Sequence, residues 1–215
     1  MHSAPCRRDV QRAATVRFGI VILAAGASTR MGRPKLLLPW GKTTILGHLI
    51  EQWSCLGAAQ TVAVTETKSP LAEELKRFPI VEQIINPKPE LGMFSSVQCA
   101  ARWDRWNRAV THFAITLGDQ PQVKIETLKT VIDFAEQNSD AICQPARKGR
   151  GRHPVIMPLN YFFQLATAKE QTLKEFLQAR ERARKLLESD DAGLDLDLDT
   201  MADYEKAINQ YTSRK

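Results

Sequence analysis

The sequence predicts a single α/β domain, built on a mainly parallel β-sheet with helices on both faces. Three observations lead to this prediction. Short apolar runs of strand length recur along the chain, as at 18–25 and 111–119. Most are separated by helical patterns of about 10–15 residues, the spacing of strand–helix–strand units in parallel sheets. No repeat, low-complexity linker or sharp change in composition divides the chain, so one domain is expected over 17–215.

The first half of the chain supplies three of the predicted strands. The run FGIVILAA (18–25) is continuously apolar and ends in glycine, as expected of a strand buried on both faces. Positions 43–57 place apolar residues at three- and four-residue steps and stop at Gly57, which predicts a helix. The next patterns predict a strand at 60–65, a helix at 69–78, a strand at 80–85 and a helix at 95–106.

The second half begins with THFAITLGD (111–119), the most apolar of the later strands, which ends in glycine followed by an acid. KIETLKTVIDFAEQ (124–137) has the apolar spacing of an amphipathic helix. The remaining patterns predict strands at 140–145 and 153–158, one or two helices at 172–189, a strand or extended edge at 193–200 and a closing helix at 201–211.

Composition narrows the function classes before any motif is considered. Of the 215 residues, 43% are hydrophobic and 25% are charged, as in ordinary soluble globular proteins. No apolar run reaches the roughly 18 residues of a membrane span, so no membrane association is expected. The formal net charge of +6 suits an anionic substrate. Nucleic acid is not expected as a partner, because basic and aromatic residues are not interleaved as in ribonucleoprotein motifs.

The cysteines and the N-terminal residues indicate the cellular compartment in which the protein is expected. The four cysteines, Cys6, Cys55, Cys99 and Cys143, include no close pair of the kind that binds zinc or acts in redox chemistry. We therefore expect single thiols in a reducing cytoplasm. Residues 1–16 are polar and lack the apolar segment of a secretory signal, so a disordered extension is expected there.

Ligands of such sheets bind beyond the carboxyl ends of the strands, which selects the loops after Ala25, Leu117 and Gln144. Near the first of these loops, Lys35 and Lys42 are both candidates for contact with phosphate.

Lys42 belongs to Gly41-Lys42-Thr43, which matches the end of a P-loop, but the rest of that motif is missing. The first glycine of a P-loop stands five residues before the Gly-Lys pair, and here Leu36 occupies that position. Pro39 also removes an N–H donor, and no strand precedes the segment. Lys42 is therefore interpreted as a solvated turn residue ahead of the helix.

The loop after the first strand has the parts of a phosphate site. Gly26, Ala27 and Ser28 have little side-chain bulk, so a nucleotide could lie directly against their backbone amides. Arg30 and Lys35 bring two positive charges to the same loop. The order of glycines differs from the dinucleotide-binding fingerprint. From composition alone, a tight turn with solvated charges explains these residues equally well.

The segment LAAGASTRMGRPK (23–35) resembles the signature loop of the MobA-like nucleotidyltransferases, in which Leu-Ala-Ala-Gly precedes Arg-Met-Gly and a lysine. Within that family it is most similar to the molybdenum cofactor cytidylyltransferase branch. Four later segments resemble further family motifs in the family's order: NPKPELGMFSSV (86–97), LGDQPQV (117–123), GRHPVIM (151–157) and DLDLDTMADY (195–204). The resemblance covers about residues 18–211 and implies a Rossmann-like nucleotidyltransferase domain.

Two positions depart from the family pattern. Arg152 stands where glycine is usual before His153, which leaves the shape of that loop open. Met201-Ala202 replaces Pro-Glu, which weakens the predicted helix start but keeps Asp197 and Asp199 in place.

The resemblance implies transfer of a nucleoside monophosphate from a triphosphate to a phosphorylated acceptor, with release of pyrophosphate. Such a reaction depends on positioning and charge neutralisation and needs no covalent protein intermediate. The leading interpretation is transfer of CMP from CTP to a molybdopterin-type cofactor with Mg²⁺. The choice of CTP over GTP rests on Ala25 alone, where guanylyl relatives usually carry a second glycine.

The resemblance also implies roles for individual residues. Arg30, Lys35 and Asp119 would be catalytic, the two cations binding the triphosphate and Asp119 holding Mg²⁺. Asp197 or Asp199 would be the second metal carboxylate, and a strand there would put both on one face, so the sequence does not choose between them. The residues expected to contact CTP or the acceptor are Leu23, Ala24, Ala25, Gly26, Arg30, Lys35, Asn86, Gly92, Ser96, Gly118 and His153.

Some residues keep two interpretations. Arg150 or Arg152 would meet the acceptor phosphate or lie on a solvated face, and His153 would contact the acceptor or pack in a turn. Trp103 and Trp106 could stack on a pterin, but their spacing favours one helix face in the core. The arginines between positions 180 and 184 are interpreted as helix surface.

Two rival functions stay open. One is another nucleotidyltransferase, acting on a sugar phosphate or methylerythritol phosphate, although the spacing from Arg30 to Lys35 is short for those enzymes. The other is a non-catalytic maturation factor that binds the molybdenum cofactor. The retention of Asp119, Lys35 and Arg30 argues against this rival. A molybdenum hydroxylase apo-enzyme is a candidate partner of the leading interpretation.

Overall fold

The computed structural model describes residues 16–26 and 31–212. The strands of these ranges are β1 (Phe18–Leu23), β2 (Pro39–Trp40), β3 (Thr43–Thr44), β4 (Gln60–Glu66), β5 (Val81–Asn86), β6 (His112–Leu117), β7 (Ile142–Arg147), β8 (Arg150–Gly151), β9 (Val155–Pro158) and β10 (Arg184–Glu188). The α-helices are α1 (Ile45–Cys55), α2 (Leu71–Leu75), α3 (Met93–Arg102), α4 (Ile125–Gln137), α5 (Leu159–Gln164), α6 (Leu173–Gln178) and α7 (Met201–Thr212). None of these helices combines the length and apolar character that crossing a membrane requires.

The main sheet is mixed but mostly parallel. Its strand order is β10-β7-β9-β6-β1-β4-β5, with β8 paired to β7 and a separate hairpin formed by β2 and β3. The pairs β1–β4, β1–β6, β4–β5 and β7–β10 are parallel, whereas β9 runs antiparallel to both β6 and β7. The predicted mainly parallel sheet is confirmed.

Helices cover both faces of this sheet, as predicted. Successive side chains of β1 point to opposite faces, so Ile20 and Ile22 enter one core while Val21 and Leu23 enter the other. The first core is closed by α1, α2, α4 and α7, and the second by α3, α5 and α6. β1 is fully buried because helices shield both of its faces.

The segment with Lys42 forms the hairpin turn between β2 and β3. Gly41 has a φ of 62°, which a turn of this kind favours, and Lys42 is exposed. Helix α1 then begins at Ile45 instead of 43, and the Thr44 hydroxyl caps it by accepting the N–H of Gly47 at 3.0 Å. The interpretation of Lys42 as a solvated turn residue is confirmed.

The prediction of helices over 172–189 is wrong in its second half. Helix α6 ends at Gln178, and β10 adds an edge strand beside β7, with Leu186 opposite Gln144. The residues of β10 favour helix locally, but helix propensity is a weak bias that pairing with an open sheet edge overrides. The arginines between positions 180 and 184 therefore do not share one helix surface.

Residues 193–200 do not form the predicted strand. A short 3₁₀ turn covers Ala192–Asp195, and an irregular segment leads from it to α7. The loop after β6 takes up its backbone groups: the Gln122 amide donates to the carbonyl oxygens of Gly193 and Leu196, at 3.0 and 2.5 Å. The N–H of Leu198 donates to the carbonyl oxygen of Asp119 at 3.2 Å. Because these contacts satisfy backbone groups of the segment, it does not require a neighbouring strand as a hydrogen-bonding partner.

Helix α3 is shorter at its end than the predicted helix over 95–106. It begins at Met93 and ends at Arg102, and Trp103 is already in an extended conformation. Trp103 and Trp106 therefore do not share a helix face. Their rings still meet at a centroid distance of 5.1 Å, and Trp106 packs against Phe113 at 4.7 Å. Both tryptophans are partly buried against the second core, so the predicted packing is confirmed and the predicted helix face is wrong.

Candidate active site

A cavity of about 500 Å³ opens at the carboxyl ends of β1 and β6. The loops beyond the ends of parallel strands meet at one edge of the sheet, so residues far apart in the chain converge there. The described residues that line the cavity are Leu23, Ala24, Ala25, Gly26, Lys35, Leu36, Pro89, Glu90, Gly92, Met93, Ser96, Leu117, Gly118, Asp119, Asp197 and Asp199.

The ends of β1 and β6 approach so closely that the residue after β6 must be small. Gly118 donates its N–H to the carbonyl oxygen of Leu23 at 3.0 Å. A Cβ atom at position 118 would lie 2.7 Å from that oxygen and 3.0 Å from the Cδ1 atom of Leu36. Glycine at this position allows Asp119 to follow directly at the cavity mouth.

Lys35 is held opposite two carboxylates. It begins the 3₁₀ turn Lys35–Leu37, which is anchored by the buried side chain of Leu36. Its Nζ atom donates to Oδ2 of Asp119 at 2.5 Å and lies 3.7 Å from Oδ1 of Asp199. The side chains of Lys35, Asp119 and Asp199 keep 15%, 22% and 45% of their surface exposed. The charged groups are therefore accessible to a ligand in the cavity.

Asp197 reaches the same cavity through a different contact. Its Oδ1 atom accepts a hydrogen bond from the Gln120 amide at 2.8 Å. Between the two acids, Leu198 is fully buried, and the N–H of Asp199 donates to the carbonyl oxygen of Asp197 at 3.0 Å. This tight turn, and not strand alternation, brings both carboxylates to the cavity.

Asp119, Asp197 and Asp199 are the candidates for binding a cation. Among residues 16–26 and 31–212, no group of three His, Cys, Asp or Glu side chains is arranged to hold a metal ion. Mg²⁺ commonly binds through one or two carboxylates and completes its octahedral shell with water and substrate phosphates. The hard oxygen donors at this accessible mouth fit an ion that binds together with a triphosphate.

Asn86, at the end of β5, lies behind the cavity lining and is 1% exposed. Its amide donates to the hydroxyls of Ser95 and Ser96, at 2.7 and 2.9 Å, and its carbonyl oxygen accepts the N–H of Lys88 at 2.9 Å. These bonds tie the loop after β5 to the first turn of α3, where Gly92 and Ser96 line the cavity.

His153 is also absent from the described cavity lining. Its Nδ1 atom lies 3.1 Å from the carbonyl oxygen of Ile115 in β6. Loss of hydration lowers the pKa of His153, against the opposing effects of that contact and of the carboxylates of Asp119 and Asp197. The imidazole is therefore neutral at pH 7 and lies close to the acids of the site.

Two of the arginines near His153 bind a carboxylate of the chain itself. Arg147 and Arg152 both donate to Asp195, which lies two residues before Asp197. Partial desolvation raises the pKa of Asp195, but the hydrogen bonds from the two arginines outweigh it and the net shift is downward. Arg150 is exposed.

The structure brings most of the predicted site residues together around the cavity, whereas Asn86 and His153 lie outside the lining. Arg30 lies outside the described residues. The sequence interpretation did not single out five of the lining residues, although three of them belong to the segment 86–96 that it expected to hold the acceptor. The five residues are Leu36, Pro89, Glu90, Met93 and Leu117. All five belong to segments that carry the family resemblance, and proximity to Lys35, Gly92 and Gly118 along the chain was the available signal.

A family model described as the MobA-like NTP transferase domain matches residues 20–187. The chain belongs to this family. Its enzyme class, nucleotidyltransferase, is thereby confirmed. The matched range of this MobA-like domain includes Lys35 and Asp119, whereas Asp197 and Asp199 lie beyond it.

Several relatives of this MobA-like chain are named for the molybdenum cofactor, and two of them represent the cytidylyl and guanylyl groups. The molybdenum cofactor cytidylyltransferase of Escherichia coli (strain K12) is 27% identical over 194 residues, covering 89% of this chain and 96% of that protein. A probable molybdenum cofactor guanylyltransferase of Bacillus cereus is 27% identical over 145 residues, covering 65% of this chain and 66% of that protein.

Crystal structures of a mycobacterial protein share the fold of this MobA-like domain. Rv0371c from Mycobacterium tuberculosis H37Rv superposes with a TM-score of 0.71 at 24% identity, covering 90% of this chain and 98% of that chain. Its complex with manganese gives a TM-score of 0.66 at 22% identity, with the same coverage of 90% and 98%. At these identities the likeness establishes the fold alone.

Proposed function

We propose that this nucleotidyltransferase transfers CMP from CTP to a molybdopterin-type cofactor, with release of pyrophosphate and with Mg²⁺ as its metal. The observation that carries the proposal is the contact of Lys35 with Asp119 at the mouth of the cavity. It places a phosphate-binding cation beside a carboxylate suited to a metal, at the strand ends where α/β sheets bind ligands.

The nucleotide would lie along the loop after β1. Ala24 already donates its N–H to the carbonyl oxygen of Val64 at 2.8 Å, which leaves the amides of Ala25 and Gly26 as candidate donors to CTP. Lys35 would then face the phosphates, together with Arg30.

In the proposed step, an oxygen of the acceptor phosphate attacks the α-phosphorus of CTP. The bond from that phosphorus to the bridging oxygen breaks, and pyrophosphate leaves with its electron pair. Nucleophile and target are both anionic, so the main work of the protein is alignment and charge neutralisation. Lys35 would supply positive charge near the leaving pyrophosphate, and Asp119 with Asp197 or Asp199 would hold Mg²⁺. When bound, the metal would neutralise phosphate charge.

The acceptor would occupy the side of the cavity formed by the loop after β5. Pro89 of this loop and Met93 at the start of α3 give this side an apolar character, and Met93 is 44% exposed. An apolar wall suits a flat heterocycle such as a pterin, while Ser96 offers a hydroxyl to its polar edge.

The choice of CTP over GTP has less support than nucleotidyl transfer itself. It consists of Ala25, which is 8% exposed and lines the cavity, and of the wider coverage by the relative named a cytidylyltransferase. As part of the same proposal, the reaction takes place in the cytoplasm and a molybdenum hydroxylase apo-enzyme receives the product.

The test is pyrophosphate release by the purified chain with Mg²⁺, a nucleoside triphosphate and an acceptor. We expect release with CTP and molybdenum cofactor, and much less with GTP or without acceptor. Release with a sugar phosphate or methylerythritol phosphate instead would replace the proposed acceptor. Tight binding of molybdenum cofactor without any release would favour the maturation factor.

A further inference from the structure

The segment between the 3₁₀ turn Ala192–Asp195 and α7 carries two of the proposed metal carboxylates, yet it has no regular structure of its own. A flexible segment would hold Asp197 and Asp199 poorly, because metal ligands need supporting contacts that fix their direction. The contacts that fix this segment therefore bear on the proposed site.

One side of the segment is held by the loop after β6, through the hydrogen bonds of Gln120 and Gln122 described above. The other side is held by Asp195. Its Oδ2 atom accepts from Nε of Arg147 at 2.7 Å, and its Oδ1 atom accepts from Nε and Nη2 of Arg152 at 2.8 and 2.5 Å.

The two arginines flank the hairpin of β7 and β8, which several hydrogen bonds hold in place. Arg147 ends β7, and the turn to β8 has the positive φ angles of a tight hairpin at Lys148 and Gly149. The N–H of Gly149 donates to the Glu188 carboxylate at 2.9 Å, and the N–H of Arg152 donates to the carbonyl oxygen of Pro145 at 2.7 Å. Asp195 thus connects the irregular segment to a well-anchored hairpin.

An isolated ion pair on a protein surface contributes little, because solvent screens it and two long side chains lose conformational freedom. The contact at Asp195 differs in two respects. Two guanidinium groups share one carboxylate through three hydrogen bonds, and the three side chains keep only 22%, 30% and 32% of their surface exposed. Charge-assisted bonds of this geometry fix direction as well as distance.

We infer that Asp195 is a positioning residue, which orients Asp197 and Asp199 toward the bound cation by tying their segment to Arg147 and Arg152. The inference rests on the proposed function, since it assumes that these acids hold the metal. Asp195 itself is not among the described residues lining the cavity. Its effect is transmitted along the backbone through Leu196, the one residue between it and Asp197.

The test compares Asp195→Asn with Glu170→Gln as a matched control. Glu170 pairs with Arg180 at 3.0 Å, with side-chain exposures of 24% and 23%, and neither residue is among those lining the cavity. Mn²⁺ serves as the probe, and its binding in the presence of CTP is followed through the electron paramagnetic resonance signal of free Mn²⁺. We expect about tenfold weaker Mn²⁺ binding by Asp195→Asn, typical for loss of a supporting contact, and wild-type binding by Glu170→Gln.

A double-mutant cycle measures the coupling between Asp195 and Arg152 in Mn²⁺ binding, which separates loss of their ion pair from general destabilisation. If the ion pair carries the effect, adding Arg152→Gln to Asp195→Asn should weaken Mn²⁺ binding by less than the product of the two single effects. Unchanged Mn²⁺ binding by Asp195→Asn would overturn the inference alone, as would an equal loss in Glu170→Gln. Absence of Mn²⁺ binding by the wild-type chain with CTP would overturn the proposed metal site and this inference together.

Discussion

Lys35 contacts the carboxylate of Asp119 directly and lies 3.7 Å from that of Asp199, so one ammonium group balances part of the negative charge at the cavity mouth. A triphosphate and a metal entering the cavity would bring their own charges to the same groups. The proposed reaction therefore requires Lys35 to share its contacts between the carboxylates and the phosphates, which a flexible point charge does more readily than a planar guanidinium.

The first prediction compares Lys35 with Lys42, the two lysines that the sequence offered as candidates for contact with phosphate. Replacing Lys35 with alanine removes the cation from the cavity and should lower pyrophosphate release by about 10²–10³-fold, as for other residues that stabilise a transition-state charge. Lys42→Ala is the matched control, because Lys42 is exposed in the β2–β3 turn, and its rate should stay within about fivefold of wild type. The reverse ranking in a steady-state assay would overturn the assignment.

For individual residues, the sequence predicted a contact in the site only where a rule about neighbouring elements applied. Because Lys35 and Asp119 follow strands β1 and β6, they are predicted to lie at the same edge of the sheet. In the structure, Nζ of Lys35 lies 2.5 Å from Oδ2 of Asp119. The contact of Arg152 with Asp195 joins residues separated by 43 positions, and no local pattern marks either as the other's partner. Such a pair depends on tertiary placement and is visible only in the fold.

Asn86 organises the loop between β5 and α3, the element that would hold the acceptor. Its side chain bridges Lys88, Ser95 and Ser96, although it does not line the cavity. A side chain that is buried and has several partners usually fixes a conformation, because leaving its polar partners unsatisfied is costly.

We predict that Asn86→Ala lowers the free energy of unfolding by about 1–3 kcal/mol and raises the KM for the acceptor more than the KM for CTP. Gln83→Ala is the control on the same strand, since Gln83 makes one hydrogen bond with the Thr65 hydroxyl at 2.7 Å. Urea denaturation and steady-state kinetics measure the two effects. Equal changes of both KM values in Asn86→Ala would argue against a specific role in the acceptor loop.

The elements that the sequence did not predict share a physical cause. The strand β10 exists because β7 presents an open edge, and the segment after Ala192–Asp195 is irregular because Gln120, Gln122 and Asp119 occupy its polar groups. Both depend on partners far away in the chain. By contrast, the strands β1 and β6 and the helix α4 follow from their own apolar patterns, and the structure confirms them.

At the scale of the whole molecule, two histidines link stability to pH. Loss of hydration is the main cause that lowers the pKa of His112 in β6 and of His153 near the site. An unfolded histidine has a pKa of about 6.5, so the unfolded chain binds more protons than the folded one once the pH falls below that value. Each histidine that the fold keeps neutral therefore costs stability in acid.

We predict that the free energy of unfolding depends least on pH near about 7.5 and falls as the pH drops below about 6.5. It also falls above about pH 8.5, where an unfolded thiol ionises, because burial raises the pKa of Cys143 to about 11. Aspartates with lowered pKa values, such as Asp195, add their own loss only below about pH 4, where unfolded carboxylates gain protons. Urea denaturation at a series of pH values measures the slope. The variants His112→Gln and His153→Gln should each reduce the fall in the free energy of unfolding below about pH 6.5. If the fall is unchanged in the double variant, these histidines are not its cause.

The order of the sheet explains why the site assembles where it does. With β6, β1 and β4 adjacent and parallel, the loops after β1 and β6 open at one edge, and the loop after β5 reaches the same cavity. The alternation of strands and helices is enough to predict this arrangement in outline. The choice of acceptor depends on the shape and charge of the loops, which vary independently of the sheet.

The most direct measurement of the central claim follows the CMP group itself. Wild-type chain and Asp119→Asn are incubated with CTP labelled at the α-phosphate, Mg²⁺ and molybdenum cofactor, and the products are separated by chromatography. The account predicts that the wild-type chain transfers the label to the cofactor and that Asp119→Asn does so at least about 10²-fold more slowly. Label that stays in CTP with the wild-type chain, or equal transfer by both proteins, would contradict it.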